Sequence, residues 1–163
     1  MRVAVIGLGV IGRVHARILR ENGSLSAVCD VDAAKLAEYT DVAHYTDYTR
    51  LLDDFRPDAV HICTPHYLHA EMVIAALERN IHVLCEKPLC ISHGEIDAIL
   101  RAEERSSAYL GVCLQNRYNP ANHFAKEYLE DKKVSAAVAH VAWNRDADYY
   151  ATADWRGKWE SEG

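Results

Sequence analysis

Gly7-Leu8-Gly9-Val10-Ile11-Gly12 is a G-x-G-x-x-G run. Glycine at the first position permits a tight turn, at the second it lets the backbone approach a pyrophosphate, and at the third it lets a helix pack closely on a strand. The amides around Val10 and Ile11, at the start of that helix, are placed to hold the anion with the positive end of the helix dipole. The run carries this meaning only between a strand and a helix. It lies there: Val3 to Ile6 is a short apolar run, and Val10, Val14, Ile18 and Leu19 recur at helical spacing before Asn22.

Asp30 follows the glycines by about 20 residues, at the end of a second apolar run from Leu25 to Cys29. A carboxylate there accepts hydrogen bonds from the adenine ribose hydroxyls and repels a 2′-phosphate, so NAD is expected over NADP. No arginine follows immediately, and the nearest cation, Lys35, lies a turn into the next helix. Asp32 reads as a helix N-cap.

Cys85-Glu86-Lys87-Pro88 puts a lysine at the carboxyl end of a strand, where ligands of open α/β sheets sit. Pro88 restricts Lys87 to extended geometry. A lysine in a loop, taken alone, is usually only a solvated surface charge. Thr64 and Pro65 end another strand and suit a strand-to-helix loop lining the cofactor crevice, with threonine available to cap and proline tolerated at the first helical position. His66 and His69 follow in that loop and early helix. A metal role would need further ligands at defined spacing, so capping and packing are expected of them. The remaining histidines carry no assignment.

These residues need a scaffold of alternating strands and helices. Gly23 stops the first helix. Helices are predicted over Ala33 to Tyr39, Asp47 to Phe55 (ended by Pro57), His69 to Glu78, and from Ser92 to about Ser106, the last opening on a Ser92-to-Glu95 capping box. Strands are predicted near Val42 to His44, Ala59 to Cys63, His82 to Cys85 and Tyr109 to Leu114. A helix from Pro120 to about Glu130 precedes a β-rich stretch from Val134 to Trp143. Parallel neighbours need crossovers, and the helices supply them, so the expected fold is a doubly wound α/β sheet. The last stretch has no obvious partner and reads as the opening of a second sheet.

The length of 163 residues suits one ordinary domain, and the balance of 50% hydrophobic to 26% charged residues is that of a globular protein. A net charge of −6 without a basic stripe gives no reason to expect nucleic acid. The run Val3 to Ile6 is too short for a signal peptide or membrane span, so a cytoplasmic protein is expected. Five cysteines without a C-x-x-C pair support neither a disulfide framework nor zinc; four of them fall at strand ends, as small buried hydrophobes do.

Read in order, GLGVIGRVHAR, the acidic end of CDVD, TPHYLHAEMVIAALERNIHVLCEKPL and QNRYNP resemble the glucose-fructose oxidoreductase, inositol dehydrogenase and MocA family over nearly the whole chain. The resemblance implies a Rossmann domain over 1–118 and the beginning of a C-terminal α+β substrate domain over 119–163. It implies an NAD(P)-dependent oxidoreductase acting on a sugar, polyol or related substrate, usually as a homo-oligomer. Glu86, Lys87 and Pro88 match the family's glutamate-lysine-proline motif, whose lysine faces the nicotinamide and the substrate hydroxyl. Lys87 is thus the expected catalytic residue. Asn116 and Arg117 resemble the family's segment after the sixth strand, and Trp155 and Arg156 its tryptophan-arginine pair near the nicotinamide. His69, Thr64, Pro65 and Glu86 join the expected cofactor site.

The family's later glycine-rich stretch, and the helix bearing an aspartate and a proton-accepting histidine, have no counterpart before Gly163. A truncated, cofactor-binding but inactive piece of such an enzyme is therefore expected. The alternative is a non-catalytic NAD-binding sensor or docking module.

Overall fold

The computed structural model describes residues 1–162. Strands β1 (Val3–Ile6), β2 (Leu25–Cys29), β3 (Ala43–Tyr45), β4 (Ala59–Ile62), β5 (His82–Glu86) and β6 (Leu110–Cys113) form one parallel sheet in the order β3-β2-β1-β4-β5-β6. The order reverses direction between β1 and β4, which opens a crevice at their carboxyl ends.

Helix α1 (Val10–Glu21) ends on Asn22, with Gly23 at φ 67°. Gly23 N–H donates to the Arg20 carbonyl and Ser24 N–H to that of Leu19, a Schellman closure that returns the chain to β2. The buried face of α1 is Gly12, Ala16 and Leu19. Val10 and Ile18, two of the apolar residues that recur at helical spacing, are exposed. The reason is distance: a helix lying close on a sheet needs its smallest residues inward.

The predicted helix at 33–39 is a 3₁₀ segment (Ala33–Glu38) capped by the Asp32 carboxylate, which accepts the Ala34 amide at 3.0 Å. The helix expected at 47–55 is α2 (Tyr48–Arg50) running into one wide π turn (Leu51–Phe55). Leu51 and Leu52 are fully buried there, worth roughly 1.5–3 kcal/mol each. Left-handed Arg56, not Pro57, closes the segment. Helix α3 (His69–Leu77) follows a 3₁₀ turn (His66–Leu68), and α4 (His93–Arg105) starts from the capping box expected at Ser92. Two apolar layers cover the sheet. Val60, Ile62, Val83 and Cys85 pack with α3 and α4 residues on one face, and Val3, Val5, Ala16, Leu19 and Val28 meet on the other.

Two compact units result. One comprises Met1–Cys113 with 157–162, where α7 (Trp159–Glu162) lies; the other is Leu114–Arg156. The second unit holds a 3₁₀ turn (Gln115–Tyr118), α5 (Pro120–Leu129) and α6 (Ala147–Ala151). Residues 134–143 form no strand, contrary to expectation: β-rich composition makes a ladder only with a partner backbone, and none pairs with them among the described residues. No helix among the described residues is long and apolar enough to cross a membrane.

Candidate functional site

The glycine run lies between β1 and α1. Gly7, at φ 90°, donates its amide to the Cys29 carbonyl at 2.8 Å, and a β-carbon there would meet the Cys63 carbonyl oxygen at 2.7 Å. A β-carbon on Gly12 would lie 1.8 Å from the Gly7 carbonyl oxygen. Gly9 differs: it is the N-cap of α1, makes no side-chain cap, and its missing β-carbon would meet nothing within 4 Å. Val10 and Ile11 follow, exposed, in the first turn. A helix N-terminus that is bare of side chains and open to one side fits a diphosphate.

Asp30, 7% exposed, braces that turn. Its Oδ2 accepts the Leu8 amide at 2.7 Å and its Oδ1 the Asp32 amide at 2.9 Å. Lys35 reaches back from its 3₁₀ segment to both oxygens, at 3.2 and 3.3 Å. Sequence spacing left Lys35 a turn away; the tighter helix brings it onto the carboxylate.

Across the crevice, Thr64 and Pro65 follow β4. The Thr64 hydroxyl donates to Met72 Sδ at 3.5 Å and caps no helix, correcting the expectation for it; Pro65 is the N-cap of the 3₁₀ turn. His69 is buried beneath the loop, with Nε2 2.9 Å from the Thr64 carbonyl oxygen and Nδ1 2.7 Å from that of Pro88. It therefore joins the loop after β4 to the loop after β5, where the Lys87-Pro88 peptide is cis and Lys87 is exposed.

Beneath Lys87 runs a polar network that the sequence reading left unassigned. Glu86, 6% exposed, closes β5. Its Oε1 lies 3.1 Å from His15 Nε2, its Oε2 accepts the Lys87 amide at 3.2 Å, and Cys113 Sγ lies within 4.8 Å of a carboxylate oxygen and of His15. His15 Nδ1 is 2.9 Å from His61 Nδ1, with the two rings edge to face. Burial, then the charge of His15, pushes the His61 pKa down to about 4, and burial pushes the Cys113 thiol up to about 11. The signal for this network was available: His61 interrupts the apolar strand Ala59–Ile62, and a polar side chain there must find a partner.

Gly7, Gly9, Gly12, Asp30, Thr64, Pro65, His69, Glu86 and Lys87 thus gather in the first unit at the carboxyl ends of β1, β2, β4 and β5. Asn116, Trp155 and Arg156 belong to the second unit. There the Asn116 carbonyl accepts the Asn122 side-chain amide at 2.7 Å, and Arg156 hydrogen-bonds to the Tyr149 hydroxyl while stacking on the Tyr149 and Trp155 rings at 4.4 and 5.1 Å. A separate cavity of about 430 Å³ lies at the amino ends of β4 and β5, away from the crevice; Asp53 and Arg79 in its lining are paired with each other at 2.7 Å.

The profile of an oxidoreductase family with an NAD-binding Rossmann fold matches residues 1–114. Myo-inositol 2-dehydrogenase of Thermotoga maritima is 32% identical over 137 residues, covering 80% of this chain and 41% of that protein. Inositol 2-dehydrogenase of Rubrobacter xylanophilus is 33% identical over 162 residues, covering 94% and 47%. The crystal structure of the WlbA dehydrogenase from Bordetella pertussis, in complex with NADH and UDP-GlcNAcA, superposes with a TM-score of 0.92 at 27% identity, over 99% of this chain and 52% of that one. The chain spans about half the length of these relatives or less. With the glycine turn, the strand order and the profile in agreement, the chain belongs to the glucose-fructose oxidoreductase, inositol dehydrogenase and MocA family and carries its NAD-binding Rossmann domain.

Proposed function

We propose that this chain binds NAD(H) in preference to NADP(H), and that the protein to which it belongs oxidises or reduces a sugar, polyol or related hydroxyl or carbonyl compound. The observation that carries the reading is the crevice at the β1/β4 reversal, where the bare N-terminus of α1 stands beside the Asp30 carboxylate. The first-turn amides of α1 would hold the diphosphate and Asp30 the adenine ribose. The nicotinamide, when bound, supplies the hydride chemistry. Lys87 is the proposed catalytic residue: its ammonium group orients the substrate oxygen and stabilises charge developing there. Asn116, Trp155 and Arg156, which belong to the second unit, are proposed as cofactor-binding residues on the family resemblance alone, and the cofactor domain is proposed to close near residue 118.

The relatives named inositol dehydrogenases support a polyol, and the UDP-GlcNAcA held by the WlbA dehydrogenase supports a sugar. Proton transfer from the substrate needs a base within hydrogen-bond reach. The chain spans about half the length of its relatives or less, and we propose that the base, and with it turnover, belongs to the longer protein. A cytoplasmic location is proposed with it, a compartment in which free thiols stay reduced.

Isothermal titration with NAD, NADH, NADP and NADPH tests the reading. Saturable binding that favours the unphosphorylated pair is expected. Absence of binding to all four overturns it for this chain.

A further inference from the structure

His61 on β4, Glu86 on β5 and Cys113 on β6 face the same side of the sheet, the side that α1 covers. Glu86 and Cys113 are direct neighbours in the ladder, and His61 shares its face with Ala59, which packs in the α1 layer. His15 descends from α1 into the middle of this row, its side chain 10% exposed, and meets both His61 and Glu86.

We propose that His15 and Cys113 are positioning residues for Lys87: by donating to the Glu86 carboxylate they aim its second oxygen at the Lys87 amide and so fix the backbone from which the Lys87 side chain departs. The proposal rests on Lys87 acting at the nicotinamide end of the cofactor, as set out above. A carboxylate is acceptor-only, so the nitrogen facing it, His15 Nε2, carries the proton whether the ring is neutral or charged. His61 serves both cases. Its Nδ1 donates to a neutral His15 and accepts from a charged one, so it holds the ring from behind without dictating its charge. The carboxylate then has a separate donor on each oxygen, and the thiol adds a third. Each donor comes from a different element, which leaves Glu86 little rotational freedom in a buried site.

The same atoms admit one rival. His15 Nε2, a Glu86 oxygen and Cys113 Sγ all lie within 4.8 Å of one another, a grouping that a zinc-class cation could occupy. A metal requires a bare Nε2 and a thiolate, whereas the donor arrangement requires protons at both. The two predict opposite tautomers for His15 when its ring is neutral.

The test begins with the unaltered chain. Long-range nitrogen–proton correlation spectra at neutral pH should show a proton on His15 Nε2; a bare Nε2, with the proton on Nδ1 alone, overturns the proposal. Amide hydrogen exchange at Lys87 follows, in His15→Leu, His15→Gln, Cys113→Ala and Cys113→Ser. Loss of a donor in the first and third should speed exchange at Lys87 about ten-fold beyond any change in its β5 neighbours. Glutamine and serine, which restore a donor, should return it to within about three-fold of the parent. Equal behaviour of leucine and glutamine at position 15 assigns the residue to packing and overturns the proposal.

Affinities for NADH and for ADP-ribose, which lacks the nicotinamide, complete the comparison. His15→Leu should weaken NADH about five-fold and leave ADP-ribose unchanged. If neither ligand binds the unaltered chain, the cofactor reading fails, while the spectra and exchange rates still decide the role of His15. If His15→Leu does not fold, the unaltered spectrum and the glutamine and cysteine variants carry the decision.

Discussion

Lys35 Nζ lies 3.2 and 3.3 Å from the two carboxylate oxygens of Asp30, the residue at which selection against a 2′-phosphate is expected. A carboxylate that already shares its charge with an ammonium group repels a phosphate less, and that ammonium group, about one-third exposed, can itself turn toward one. Lys35→Ala should weaken NADP(H) about three- to five-fold and change NAD(H) less, a size set by partly exposed ion pairs. Asp30→Ala should lower NAD(H) affinity and narrow its advantage over NADP(H). Four parallel calorimetric titrations read both effects; an unchanged preference in Lys35→Ala would remove the lysine from cofactor selection.

The glycines separate folding from binding. Gly12→Ala forces a β-carbon into the Gly7 carbonyl, and should cost at least about 3 kcal/mol in denaturant unfolding. Gly9→Ala meets no protein atom and keeps an allowed backbone at φ −68°, so its stability should fall by no more than about 1 kcal/mol, the difference between glycine and alanine at an N-cap. Its added methyl group projects where the diphosphate would sit. NADH titration of the folded Gly9→Ala protein should show loss of binding.

His61 ties stability to acidity. Its pKa falls from 6.5 to about 4 on folding, burial being the main cause and the charge of His15 the second. Above 6.5 neither state binds the proton; between 6.5 and 4 the unfolded chain does and the folded one does not, so stability falls as pH falls. The loss across that window should be on the order of 2 kcal/mol after allowance for solvent access. Unfolding curves of His61→Asn, measured beside the parent from pH 7 to 4, should be flatter by this amount. Equal slopes would show that His61 takes up its proton in the folded state.

Ser92 accepts the Glu95 amide at 3.3 Å, and Glu95 accepts the amides of Ile91 and Ser92 at 2.8 and 3.0 Å. Ser92→Ala should destabilise the protein by about 1 kcal/mol. Cofactor affinity should be unaltered, since α4 lies outside the crevice; a matched pair of unfolding and binding curves checks both.

The elements that a local pattern could betray were legible in the sequence: the strand-turn-helix at Gly7, the acidic end of β2, the Asp32 cap and the Ser92 box each declare themselves within a few residues. The face of α1 did not, because hydrophobicity marks Val10 and Ile18 while the sheet selects Gly12 and Ala16 for size. The π turn at Leu51–Phe55 depends on backbone hydrogen bonding rather than residue type, and nothing in the side chains announces it. The Glu86 network escaped for a different reason. Its partners lie 46 and 71 residues apart along the chain and are joined by strand order alone.

Ala16 can be seen as a shim. With Gly12 it sets the clearance between α1 and the sheet, and that clearance fixes how high the first-turn amides of the helix ride above the ends of β1 and β4. A bulkier residue at 16 would lift the helix like a wedge and move the anion seat with it. In this protein, the fit of one methyl group in the interior and the reach of the backbone toward a ligand at the surface are one adjustable dimension.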